Sequence, residues 1–201
     1  MHRGEGEERI LAKVVQAEAP DMEPVMKYPI ETDRLVLRDL EPRDENALAT
    51  MLADEEVMRW IGAGGAQVGD IARRVIERER GHYAERGWGE WATMERDSGR
   101  MIGLCGLILW PDIEGREELE VAYILARDAW GRGYATEAAA AVRDVGRTIR
   151  PDLVSLIYRD NAASIRVARK IGMTYEKDVE FQGHQVGLYR QELVREYGAG
   201  T

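Results

Sequence analysis

The apolar positions of this chain change period several times, and each change marks an element. "RLVLRDL" (34–40) alternates, with Leu35 and Leu37 on one side and Val36 on the other, which predicts a half-buried strand. After Pro42, which suits a first helical turn, Leu48, Met51 and Leu52 recur at helical spacing, and "DEEVMRWIG" (54–62) predicts a second short helix closed by Gly62. Ile71, Val75 and Tyr83 carry the helical period through a third segment, 68–86, whose other faces are charged. The period then falls to two. "WGEWATMERDSGRMIGLCGLILW" (88–110) predicts two antiparallel strands joined at "DSGR", where Gly99 can take a positive φ. In the next strand, "ELEVAYIL" (118–125), alternation sets Leu119, Val121, Tyr123 and Leu125 on one face and Glu120, Ala122 and Ile124 on the other. A helix reaching about residue 147 follows, then a strand at "DLVSLIY" (152–158), a helix at "NAASIRVARKIG" (161–172), and two closing strands around "QG" at 182–183. This order, one strand, three helices, a run of strands and then βαβαββ, implies an α/β chain built on a mixed sheet with helices on its faces.

Residues 1–29 are charge-rich, contain Pro20, Pro24 and Pro29 and show only a weak apolar stripe, so they read as an extension ahead of one domain spanning 30–197. A chain of 201 residues with 44% hydrophobic composition buries a single core.

Composition and charge remove several function classes. The formal net charge of −9 argues against a sequence-independent hold on nucleic acid, which needs clustered Lys and Arg to displace counterions from phosphates. No apolar run approaches the roughly 20 residues of a membrane span, and "MHRGEGEERI" lacks the apolar stretch of a signal peptide. The single cysteine, Cys105, sits in the apolar strand "MIGLCGLILW", where it reads as buried, and it allows no internal disulfide. No His or Cys spacing suggests a metal site. These features predict a soluble, cytoplasmic protein without nucleic-acid or membrane partners.

One stretch carries chemistry. "LARDAWGRGYATEAAAAV" (125–142) sets two glycines between the end of a strand and an alanine-rich helix. Helix N-termini present amides without intrahelical partners together with the positive end of the macrodipole, and Gly131 and Gly133 let a ligand approach the backbone closely. The amides of Gly131, Arg132, Gly133, Tyr134, Ala135 and Thr136 could therefore form a nest for a phosphate; a tight turn that binds nothing would need the same glycines. The stretch lacks the Gly-Lys-Ser/Thr ending of a P-loop, and the third glycine of a dinucleotide fingerprint would fall at Thr136.

"ELEVAYILARDAWGRGYATEAAAAV" followed by "YRDNAASIRVARKIGM", with "IETDRLVLRDLEPRD" near the start, resembles the GNAT superfamily of acetyltransferases, and in particular the branch containing ribosomal-protein N-terminal acetyltransferases. The resemblance runs over about residues 30–195. It implies a mostly antiparallel sheet whose two central strands splay apart, with helices on both faces. It implies that residues 131–136 hold the pyrophosphate of acetyl-coenzyme A, the co-substrate, while Tyr123 and Leu125 offer backbone hydrogen bonds to the pantetheine arm. It also implies acetylation of an amine acceptor, a protein N-terminus or a small molecule, by a monomer or homodimer. A coenzyme-binding sensor with the same fold and no turnover is the alternative.

The same resemblance suggests who does the chemistry. Glu120, a carboxylate on a mostly apolar face, is the candidate general base, with Glu117 and Glu118 as fallbacks; a solvated strand end would equally explain it. Asn161 matches an Asn-x-x-Ser pattern that implies a bond to pantetheine, and it is also a good helix N-cap. Ser164 is implied to face the coenzyme sulfur as proton donor, with Tyr175 and Tyr189 as alternatives. Arg166, Arg169 and Lys170 form a stripe that is either solvated or directed to the 3′-phosphate. Trp60 and Trp110 fall beside predicted loops where an acceptor pocket would lie. Asp112, Glu114, Glu117 and Glu118 either attract a cationic amine or form a solvated loop.

Overall fold

A computed structural model describes residues 29–62 and 64–191. Eight strands form one sheet: β1 (Ile30–Glu31), β2 (Leu35–Arg38), β3 (Glu90–Glu95), β4 (Met101–Ile113), β5 (Arg116–Leu125), β6 (Leu153–Tyr158), β7 (Thr174–Phe181) and β8 (His184–Gln191). Their spatial order is β1-β2-β3-β4-β5-β6-β8-β7. The helices are α1 (Glu45–Leu52), α2 (Glu55–Met58), α3 (Ile71–Arg86), α4 (Tyr134–Ile149) and α5 (Ala162–Lys170). Apart from Pro29, the extension expected over 1–29 lies outside the described residues.

The hairpins follow from local chemistry. Gly99 takes φ +66° in the β3–β4 turn, and Gln182 and Gly183 both adopt left-handed φ between β7 and β8, the pairing that matches strand twist. The β4–β5 hairpin differs from the expected ending at Trp110. β4 runs on through a bulge between Trp110 and Ile113 to a two-residue turn at Glu114 and Gly115, φ +51° and +85°, in which Asp112 Oδ1 accepts the Gly115 amide at 2.6 Å. Glu114 is an unusual residue for a left-handed position, which is why the turn carries no sequence signal. The second helix is also shorter than expected: Asp54 caps it by accepting the Glu56 and Val57 amides, and it ends at Met58. Beyond it the Tyr158 hydroxyl bonds the Gly62 carbonyl at 2.6 Å, drawing the following turn across to β6.

Each face of the sheet buries its own core. On one, α4 and α5 cover Leu35, Trp91, Cys105, Leu107, Val121 and Leu125; Ala138 and Ala139 of α4 are fully buried there, and their small side chains let the helix lie close to the strands. On the other, α1, α2 and α3 cover Ala92, Leu104 and Ile124, while Val154, Val179, Val186 and Leu188 form a smaller cluster toward β7. Between these two clusters the central strands are uncovered. Ile108 and Ala122 are only half-buried although both lie in the middle of the sheet.

Gly81 is an exposed position inside α3 where an added Cβ meets no atom within 4 Å. Gly81→Ala is expected to raise stability by about 0.5–1 kcal/mol, because alanine gives up less backbone freedom in a helix. Chemical denaturation at constant m-value measures it.

Candidate active site

β5 and β6 are the two parallel neighbours in a sheet otherwise antiparallel, and they pair at one register position, Glu120 opposite Val154. Beyond it they diverge. Ser155 Oγ reaches across the opening to the Val121 carbonyl at 2.8 Å. Since backbone groups of alternate residues point to the same side of a strand, the N–H and C=O groups of Tyr123 and Leu125 also face this opening. The Leu125 carbonyl is already used: Trp130 Nε1 donates to it at 2.8 Å, leaving its amide and both Tyr123 backbone groups at the edge.

At the wide end of the opening stands the N-terminus of α4. Gly131 and Gly133 adopt φ +73° and +83°, values that only glycine takes without strain, and they reverse the chain into the helix. The first bond into α4 runs from the Glu137 amide to the Gly133 carbonyl, and no side chain caps Gly133. Among the described residues no protein acceptor takes the amides of 131–136. The loop is held from behind by residues that the sequence reading did not single out. Glu137 Oε1 accepts from Thr32 Oγ1 at 2.6 Å and from the Arg34 amide at 2.8 Å, and Arg34 Nε donates to Oε2 at 2.7 Å. Partial burial pushes the Glu137 carboxyl up, but the bonds from Thr32 and Arg34 outweigh this and hold it below its ordinary value. Arg34 also donates to the Arg132 carbonyl at 2.9 Å. Arg132 itself lies 3.2 Å from Glu95 and over the Tyr134 ring, with Arg34 packed against the same ring. Two guanidinium groups thus flank the uncapped amides.

Glu120 lies at the narrow end, buried on the face away from α4. Oε1 accepts the Leu156 amide at 2.9 Å, and Oε2 accepts Trp110 Nε1 at 2.7 Å. Loss of hydration on burial pushes its pKa up to about 7, against the opposing pull of those two donors. Such a carboxylate is near the optimum for exchanging a proton at neutral pH. The aromatic residues around it come from several elements. Trp110 packs edge-on against Phe181 at 4.7 Å, and Trp60 lies 5.9 Å from Tyr158, which in turn meets His184 at 5.5 Å. Both tryptophans marked in the sequence therefore stand on the Glu120 face. Glu90, not singled out from sequence, shares that face across Gly106 and Ala122. Burial together with the neighbouring charge of Glu79 pushes it up to about 7 despite Arg78 Nη2 at 3.0 Å.

On the opposite face, Tyr123 packs into the main core with its phenol buried. Burial pushes the phenol up to about 12, and Ser164 beside it opposes part of that shift. Asn161 Oδ1 accepts the Ser164 amide at 3.1 Å, so Asn161 caps α5 and fixes the first turn that carries Ser164.

Other candidates have structural duties. Glu118 is buried in an ion pair with Arg190, accepting at 2.6 and 2.9 Å, which occupies its carboxylate, and Glu117 is exposed and lies 3.4 Å from Arg150. Glu114 bonds Lys177 at 2.6 Å. Glu114, Glu117 and Glu118 thus lie in a hairpin tip and strand paired with neighbouring cations, while Asp112 accepts the Gly115 amide. Tyr175 is half-exposed and donates to Asp178 at 2.9 Å. Cys105 is buried and its thiol is raised by burial, so it is no nucleophile. Arg166, Arg169 and Lys170 are exposed along α5. Among the described residues no group of three His, Cys, Asp or Glu side chains is arranged to hold a metal ion, and no helix is long and apolar enough to cross a membrane.

Known proteins resemble this chain in sequence and in fold. The Bacillus subtilis (strain 168) protein YkkB is 33% identical over 170 residues, covering 83% of this chain and 96% of the relative. The crystal structure of an acetyltransferase from Agrobacterium tumefaciens superimposes with a TM-score of 0.70 at 26% identity, covering 87% of this chain and 99% of that one. Spermidine N-acetyltransferase from Vibrio cholerae, solved with coenzyme A and spermine, shares the fold at a TM-score of 0.63 and 16% identity, covering 80% of this chain and 96% of that one. The family described as "Acetyltransferase (GNAT) domain" matches residues 34–174, a span that holds the splayed strands, the uncapped α4 amides, Glu120 and Ser164. This chain belongs to the GNAT acetyltransferase family.

Proposed function

We propose that the protein transfers the acetyl group of acetyl-coenzyme A to a primary amine by direct attack. The observation that carries this reading is the placement of a buried carboxylate with a pKa near 7 at the point where β5 and β6 part, one opening away from a helix N-terminus whose amides have no protein acceptor. Residues 131–136 hold the pyrophosphate through their amides, with Arg132 adding charge, and the exposed backbone groups of Tyr123 and Leu125 extend hydrogen bonds to the pantetheine arm as to an added strand. Asn161 offers its side-chain amide to the same arm.

Glu120 takes a proton from the bound ammonium, so that the neutral nitrogen attacks the thioester carbonyl. The C–N bond forms and the C–S bond breaks; the surplus proton on nitrogen passes to the departing thiolate, whose developing charge the Ser164 hydroxyl meets. The acceptor enters on the Glu120 face, among Trp60, Trp110 and Tyr158. The motif resemblance favours the α-amino group of a protein N-terminus or a small-molecule amine of similar reach.

Release of free thiol from acetyl-coenzyme A, followed across a panel of N-terminal peptides, polyamines and aminoglycosides, tests this. Turnover with at least one amine is expected; tight coenzyme binding with no thiol release for any acceptor would instead favour a sensor. Ser164→Ala is expected to lower kcat at least about tenfold with the coenzyme Kd unchanged, because its bond to sulfur exists only as the thiolate departs. Equal losses in both would move Ser164 from catalysis to binding.

A further inference from the structure

Glu120 meets the protein only through donors that cannot accept. Among the described residues its two bonds come from the Leu156 amide to Oε1 at 2.9 Å and from Trp110 Nε1 to Oε2 at 2.7 Å. A backbone N–H and an indole N–H each give one hydrogen bond and have no lone pair with which to take one. The ionised carboxylate is therefore satisfied at both oxygens, whereas the hydrogen of the neutral acid finds no acceptor in either neighbour. Of the two donors the indole is the side chain, and it is held from outside the site. Trp110 lies opposite Glu118 on the β4–β5 pair, at the start of the bulge that carries β4 on to Ile113, and so stands diagonal to Glu120 on one face of the sheet. Phe181 meets its ring edge-on at 4.7 Å, and the ring packs on the cluster of Ile113, Val154 and Val186. The place of the indole is thus set by apolar packing that does not involve the carboxylate.

No cation substitutes for the indole. On the same face, Glu90 of β3 bonds Arg78 of α3 through its carboxylate and Glu79 through its amide, Glu118 of β5 pairs with Arg190 of β8, and Lys177 of β7 pairs with Glu114. Tyr158 of β6 packs on His184 of β8. None of these groups bonds Glu120 among the described residues. We propose that Trp110 is a positioning residue whose indole N–H, by holding Oε2, keeps the Glu120 carboxylate ionised and fixed in its plane on the acceptor face. This rests on the role of general base given to Glu120 above. A charge-assisted N–H···O⁻ bond favours the anion, the direction in which Trp110 pulls Glu120 against the effect of burial. The proton that Glu120 takes still comes from the acceptor ammonium; Trp110 neither gives nor receives one.

Trp110→Phe keeps an aromatic ring against Phe181 and removes the donor. The acid limb of kcat/KM, which falls through about pH 7 in the parent, should move up by about one pH unit in the variant, the effect of losing one charge-assisted bond. Activity should then drop about fivefold at pH 7 and return to within about twofold of the parent at pH 9, a recovery that a merely structural loss would not give. A second measurement needs neither an acceptor nor a change at Trp110. In proton–nitrogen correlation spectra of the full chain taken from about pH 5 to about pH 9, the assigned Trp110 indole signal should move with a midpoint near 7, and that movement should vanish in Glu120→Gln. An unmoved inflection in Trp110→Phe, an equal loss at every pH, an indole signal that does not move in the parent, or a midpoint that persists in Glu120→Gln and so reports another group such as Glu90 would each overturn the proposal. If no amine accepts an acetyl group, the functional reading fails while the indole titration still decides whether Trp110 holds Glu120.

Discussion

Glu120→Gln is expected to lower kcat/KM by about a hundredfold or more at pH 7, the range that a positioned general base supplies. The substitution keeps size and shape but cannot take a proton. The parent should lose activity as pH falls through about 7, tenfold per unit once Glu120 is mostly protonated, because only its ionised form accepts from the ammonium. The variant should lack that inflection and retain only the rise caused by ionisation of the amine itself. A parental pH profile in Glu120→Gln would remove Glu120 from the reaction. Stability gives an independent reading. Glu120 titrates near 7 when folded against an ordinary value of 4.5, so the folded state holds more protons between those values. The stability linked to this group is therefore fully present below about 4.5 and is lost as pH rises through about 7. Glu120→Gln stays neutral and should show a shallower fall between pH 5 and pH 8; the remainder belongs to Glu90, which is raised in the same way. At any one pH the gain is partly cancelled, because one of the two donors, the Leu156 amide or Trp110 Nε1, would then face an NH₂ group.

Gly106→Ala should be the most damaging of the small substitutions, destabilising the fold by about 3 kcal/mol or more. A Cβ at Gly106 would overlap the Gly89 carbonyl oxygen and the Cα of Glu90, both backbone atoms of the paired strand. A flexible side chain could rotate away from such a clash, whereas a central strand bonded on both sides cannot. The result would be read as a large drop in melting temperature or in soluble yield, in contrast to the gain expected for Gly81→Ala. Ordinary stability in Gly106→Ala would mean that β3 and β4 sit farther apart than described. The same close approach keeps the sheet floor between Glu90 and Glu120 low at Gly106 and Ala122, with Ile108 beside Glu120.

Much of this architecture was legible because local and tertiary preferences agree. The alternation in "ELEVAYIL" assigned Glu120 and Tyr123 to opposite faces, and the structure keeps that assignment. The two glycines before "YATEAAAAV" marked the entry to α4, since positive φ at both positions admits little else. Asn161 announced the start of α5 through its capping chemistry. Less was legible where a position depends on a partner far along the chain. Nothing around Thr32 or Arg34 announces that they bond Glu137, more than a hundred residues later, and hold the α4 loop from behind. Trp110 could be placed beside a loop, but its bond to Glu120 depends on the register of β4 against β5, which includes a bulge. Glu114, Glu117 and Glu118 looked like free charge only because their cationic partners lie on β7, β8 and the end of α4.

By itself the sequence determined the elements, their faces and the glycine-bearing loop, because these depend on side-chain period and on backbone freedom within a few residues. Only the tertiary structure decided the chemistry of the site. The parting of β5 from β6 and the drying of Glu120 that lifts its pKa both arise from strands and helices packed across the whole sheet. Burial and electric field are properties of the assembled surroundings, and no short window of residues contains them.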